Sequence, residues 1–174
     1  MDHINKKDFI ESLDSMESKQ VLSWFYNKFP ELENEIYDIA LKVVSQVDED
    51  SIMAGVFQEL DMIDVDDLYD GSGSTRYGYV DPTDLSWEMF GDVLQPFLNE
   101  MEKSQKRNLP IEAKAYCCGI IKGLQKYSKE SNSEFSDWAP DAPEEFIHTA
   151  LEEFKKGNPR KEDIAQVSKL VQLP

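Results

Sequence analysis

The densest group of chemistry-bearing side chains is Asp64-Val65-Asp66-Asp67-Leu68-Tyr69-Asp70-Gly71-Ser72-Gly73-Ser74. Hard cations such as Ca²⁺ take several carboxylate and carbonyl oxygens converging from one loop, which clustered aspartates with glycines permit. The helix-loop-helix calcium pattern asks for Asp at loop positions one, three and five, Gly at six and Glu at twelve. Counted from Asp66, Asp70 and Gly71 fit positions five and six, but Leu68 and Tyr77 stand at three and twelve. The match fails at two ligands, and helix-end capping beside a solvated loop accounts for these aspartates better. A divalent-cation protein for Ca²⁺ or Mn²⁺, or a metal-dependent enzyme, using Asp64–Asp70 is the alternative reading of the chain.

Other candidates for chemistry are thinner. Gly73-Ser74-Thr75-Arg76-Tyr77-Gly78 has the glycine spacing of a phosphate-binding loop, but Tyr79 and Val80 follow where Lys and Ser or Thr are needed. Glu145 and His148 are three apart and share a helix face, as in carboxylate-bridged di-iron sites. That chemistry needs a second such pair, and the other histidine is His3. A Ser-His-Asp or Cys-His enzyme would have to use His148 as base, with no Gly-x-Ser-x-Gly turn to present a serine, while a carboxylate-only hydrolase is left open because acids are everywhere in the chain. Cys117 and Cys118 are adjacent within an apolar helical pattern, where each points a different way, so they read as small packed residues. The residues point away from an enzyme, with no catalytic residue, no metal ligand and no cofactor assigned.

The charge layout is more telling. The chain of 174 residues carries a net charge of −17. Residues 1–47 have a balance of −4, residues 48–102 one of −14 with Arg76 as the single base, and residues 103–174 one of +1. Within 103–130, seven bases face Glu112 and Glu130, so a dipolar molecule is expected. The acidic field repels phosphates and anionic lipid headgroups, which argues against nucleic-acid and membrane partners. It attracts a basic one. No apolar run approaches the ~18 residues of a membrane span, and the start Met1-Asp2-His3-Ile4-Asn5-Lys6-Lys7-Asp8 lacks a signal peptide's apolar stretch. A cytoplasmic location is expected.

The elements that position these groups read almost wholly as helices. Asn5 caps a first helix and Ser18 opens a second, in which Val21, Leu22, Trp24, Phe25 and Phe29 are apolar around much of the circumference. Pro30 starts a third, and Asp48 or Asp50 caps a fourth bearing Ile52, Val56, Phe57, Leu60 and Ile63. An irregular loop is expected over 64–81. Asp81 and Pro82 open a long helix that Pro96 should kink or restart near Gln95. The clearest amphipathic helix runs from Ile111 to about Glu130, with Ala113, Cys117, Ile120, Leu124 and Tyr127 inside. Ser131 to Ala142 is a loop, Pro143 starts a helix that Gly157 stops, and Asn158-Pro159 begins the last.

These signals give an all-α chain read as one domain over 1–174. About eight antiparallel helices are expected in stacked hairpins, as a short solenoid or an irregular bundle. The helix pairs 17–47 and 82–130 resemble α-helical repeat proteins of the tetratricopeptide or HEAT type in pattern. Trp24-Phe25-Tyr26-Asn27 and Trp87-Glu88-Met89-Phe90 do not carry the tetratricopeptide signature. What the resemblance implies is a scaffold for protein contacts. The apolar faces Trp24 to Phe29 and Phe90 to Met101 serve either a core or a homodimer surface. Tyrosine and tryptophan in polar loops anchor interfaces, so the expected docking residues for a basic protein partner are Asp66, Asp67, Asp70, Tyr77, Tyr79 and Trp138.

Overall fold

The computed structural model describes residues 5–76 and 78–171, with Thr75 described by its backbone alone. Among these residues there are nine α-helices and one two-stranded sheet, so the protein is all-α. The chain divides into two compact units, Met1–Gln46 and Val47–Pro174.

The first unit holds α1 (Lys6–Glu11), α2 (Ser15–Lys28), a 3-10 turn (Pro30–Leu32) and α3 (Glu33–Val44). Asn5 caps α1 through its side-chain oxygen, which accepts from the Lys7 amide at 3.1 Å. The α2 start differs from the expected Ser18. Asp14 accepts from the Met16 and Glu17 amides, and Glu17 accepts in return from the Asp14 amide at 3.0 Å. This reciprocal pairing satisfies more orphan donors than a serine would, and it sets the boundary three residues earlier. Among the described residues of this unit none is buried. Trp24 is 59 % exposed, and Val21, Leu22, Tyr37, Ile39 and Val43 also lie open.

The second unit is built around α7 (Pro110–Glu130). Against it pack α4 (Glu49–Asp61), α6 (Pro82–Lys106), α8 (Ala142–Lys156) and α9 (Lys161–Val171). The face expected from the spacing, Ala113, Cys117, Ile120, Leu124 and Tyr127, is buried. Phe90, Leu94 and Met101 of α6 are also buried, which makes that apolar face core. Pro96 does not restart α6, which runs as one helix from Pro82 to Lys106. The 64–81 segment is more ordered than a loop. Asp64 caps a short α5 (Val65–Gly71), then β1 (Gly73–Thr75) pairs antiparallel with β2 (Gly78–Val80). Gly73 and Gly78 take φ of 82° and 132°, a region that glycine enters without a Cβ penalty.

The helices α4 and α7 approach closely, and glycine makes it possible. A Cβ on Gly119 would lie 2.6 Å from Ile52 Cβ and 2.9 Å from the Glu49 carbonyl oxygen. One on Gly123 would lie 2.6 Å from Val56 Cβ and 2.9 Å from the Met53 carbonyl oxygen. Alanine in a helix is favoured over glycine by about 1 kcal/mol, but overpacking against immovable backbone costs about 1–3 kcal/mol or more. Gly119→Ala and Gly123→Ala should each lower the urea midpoint of unfolding, and a raised midpoint would refute the close packing.

One buried acid fixes α9. Asp163 is 4 % exposed and accepts from Lys114 Nζ at 3.0 Å and from Arg160 Nε at 2.8 Å. Lys114 also donates to Gln166. The hydrogen bonds from Arg160 and then Lys114 hold the Asp163 carboxyl below its ordinary value. Folding therefore favours the ionised form. Its contribution is fully present above about pH 4, the unfolded value, and fades as pH falls through the lower folded value. Asp163→Asn should lower the melting temperature at neutral pH and shrink the loss of stability on acidification; an unchanged acid profile would contradict this role.

Candidate functional site

The candidate docking surface forms where α5 meets the 131–141 segment, both within the second unit. Asp64 accepts from the Asp66 amide at 2.9 Å, which starts the helix. Asp66 and Asp67 follow in the first turn, where the positive end of the helix dipole favours carboxylates. Leu68, fully buried, anchors α5 to the core. Residues three and four apart share a helix face, so Asp66, Asp67 and Asp70 stand together, and all three are exposed. None of them enters an ion pair among the described residues.

Beside these carboxylates stands an aromatic pair. Tyr69 is 54 % exposed and meets Trp138 edge to face, with ring centroids 5.7 Å apart at 86°. Trp138 is half-buried against the core. Its backbone is pinned at both ends: its amide donates to the Phe135 carbonyl at 3.0 Å, and its carbonyl accepts from Ser86 Oγ at 3.1 Å. A 3-10 turn (Glu134–Asp137), capped by Ser133 and rooted by the buried Phe135, carries it.

The structure thus brings four of the six expected residues together: Asp66, Asp67 and Asp70 on α5, with Trp138 joined to them through Tyr69. Tyr79 is on β2, cross-strand from Ser74 and 70 % exposed, and makes no ring contact among the described residues. Tyr77 lies outside the described residues. Tyr69, absent from the expected set, links the two halves of the surface. Its sequence signal was its place between the core residue Leu68 and the exposed Asp70.

Ion pairs consume charge of both signs in this unit. Five of the seven bases in 103–130 are engaged with acids: Lys103 with Glu100, Lys106 with Glu102, Lys114 with Asp163, Lys122 with Glu49 and Lys126 with Glu130. The basic patch expected from the sequence is largely neutralised, while the carboxylates of α5 are not.

Chemistry of other kinds finds little support in the geometry. Among the described residues no group of three or more His, Cys, Asp or Glu side chains could hold a metal ion. Asp64 is engaged in capping, and Asp66, Asp67 and Asp70 face outward rather than converging on one point. Gly73 and Gly78 belong to the paired strands β1 and β2, and Gly78 leads into strand rather than directly into a helix N-terminus that could take phosphate. His148 and Glu145 stand on the open side of α8, while the cysteines lie in the core. Burial raises the Cys117 thiol and pushes Cys118 up to about 11, the nearby Glu49 adding to the latter. Cys117 Sγ donates to the Ala150 carbonyl at 3.7 Å. Among the described residues no helix is long and apolar enough to cross a membrane.

Compared with protein-family models, curated proteins and solved structures, the chain matches none.

Because the thiolate is the reactive form, both cysteines should resist iodoacetamide in the folded protein and react only as it unfolds. Labelling at the rate of a free thiol under native conditions would overturn their role as core residues.

Proposed function

We propose that this protein is a non-enzymatic interaction module that docks a basic protein partner on the acidic, tyrosine-bearing surface of its second unit. The observation that carries this reading is the group of three exposed carboxylates on α5, without an ion pair among the described residues, beside the Tyr69–Trp138 ring pair. Aromatic side chains held in place by a core supply contact area at low entropic cost, and they dominate the energetics of interfaces. Carboxylates around them steer a cationic partner and fix its register. The −14 balance of residues 48–102 extends the attraction beyond the contact itself.

The test uses labelled peptides of alternating Arg and Leu, with Glu-for-Arg counterparts as controls, followed by fluorescence anisotropy over a salt series. Three exposed ion pairs of a few tenths to 1 kcal/mol each predict that Asp66→Asn, Asp67→Asn and Asp70→Asn together weaken binding about tenfold at low salt. The slope of affinity against salt should flatten as well. Equal affinity for the variant and the parent at low salt would remove the α5 surface from consideration.

A further inference from the structure

We propose that an open groove between α6 and α8 seats a lysine or arginine side chain of the partner, so that the basic segment is read at a second, aromatic-floored site. This rests on the reading of the protein as a docking module for a basic partner, and it names a place and a chemistry that the α5 surface does not supply.

The groove has a volume of about 500 Å³. Its apolar lining comes from Trp87, Leu98, Met101 and Phe146. Phe146 belongs to a run of rings, 5.2 Å from Phe90 and nearly parallel to it at 23°, and 6.2 Å from Trp87 at 30°. Phe90 in turn meets Tyr127 edge-on in the core. The outer rings, Trp87 and Phe146, are only half-buried, so a ring surface backed by the core borders solvent. Gly91 sets the depth. A Cβ there would come within 3.3 Å of Phe146 Cζ, so glycine lets the ring lie close against α6. Glycine inside a helix costs about 1 kcal/mol relative to alanine.

The charge around this floor is of one sign. Glu88, Asp92, Glu102 and Glu153 line the groove, and no Lys or Arg does. Glu102 and Glu153 are held by Lys106 at 2.7 Å and Lys156 at 2.5 Å. Glu88 and Asp92, one turn apart on α6, enter no ion pair among the described residues. An apolar ring floor beside unpaired carboxylates suits a guanidinium or ammonium group: the ring faces attract its charge, the carboxylates accept its donors, and its methylene stem covers the apolar lining. Anionic and purely apolar occupants would leave Glu88 and Asp92 facing like charge or desolvated without a partner.

Both surfaces hang on the same turns of α6. Ser86 donates to the Trp138 carbonyl beside the α5 surface, and the next residue, Trp87, lines the groove.

The experiment titrates the full chain with the Arg/Leu peptide and follows the indole N–H resonance of Trp87, identified among the three tryptophans by Trp87→Phe. A saturable shift with the Arg peptide and none with its Glu counterpart is expected. Glu88→Gln with Asp92→Asn should weaken binding several-fold. Gln95→Arg, which places a cation on the groove from an exposed position, should compete with the peptide without disturbing the core. If the triple asparagine variant of α5 weakens binding while the groove variants do not, the groove falls and the docking module stands. If neither set changes binding, both fall. Self-association of the chain that the groove variants abolish would make a second copy the occupant and overturn the proposal.

Discussion

The close crossing of α4 and α7 is the constraint on which the second unit depends. At Gly119 and Gly123 the helix surface has no side chain, and Ile52 and Val56 of α4 fill the space directly over the backbone. Dispersion and apolar burial both grow as the separation shrinks. Ion pairing reinforces the contact at its edge, where Lys122 reaches Glu49 at 2.5 Å. With α4 fixed, the chain leaving it must turn at once, and Asp64 restarts it as α5 with Leu68 in the core. The outward face of α5 is then bound to carry the carboxylates. The acidic surface proposed for docking is in this sense a by-product of how α4 lies on α7.

The distribution of free charge follows from pairing across the fold. Lys114 and Lys122 point from α7 toward acids on α9 and α4, where a partly shielded setting strengthens each interaction relative to open water. Lys103 and Lys106 meet acids on their own helix at spacings of three and four. Among the described residues, Asp66, Asp67 and Asp70 of α5 and Glu88 and Asp92 of α6 stay outside these ion pairs. The net charge of the chain says that an acidic surface exists; the pairing says which of its carboxylates are already engaged.

The two units handle apolar surface differently. In the second, the apolar faces of four helices meet around α7 and leave a core that includes Phe90, Phe135 and Phe154. In the first, the described residues of α1–α3 include none that is buried, although Trp24 and Phe25 give α2 as much apolar character as a core helix. The broad apolar circumference of α2 pointed to burial on two sides. The cause of the difference is size: a few short helices have too few neighbours to enclose large side chains.

Helices, and most of their ends, were legible in the sequence because the physics that sets them is local. Asn5, Asp48 and Asp81 cap the helices that follow them, and the spacing of Ala113, Cys117, Ile120, Leu124 and Tyr127 marks a buried stripe whatever lies opposite. The α5 helix and the β1–β2 pair escaped because so short an element has no periodicity to detect and is held by Leu68 and by cross-strand bonds. Pro96 reads as a breaker, yet α6 passes through it, flanked by the buried Leu94 and Met101 that hold it in the core. Of the candidate surface, the aspartates were visible as composition, but the Tyr69–Trp138 contact joins residues far apart along the chain. The sequence by itself determined the all-α class, the caps and the sign of the field. Only the tertiary structure decided which carboxylates stay unpaired and where aromatic rings meet solvent, because both depend on distant partners such as Lys114 and Asp163, or Trp87 and Phe146, brought together by packing.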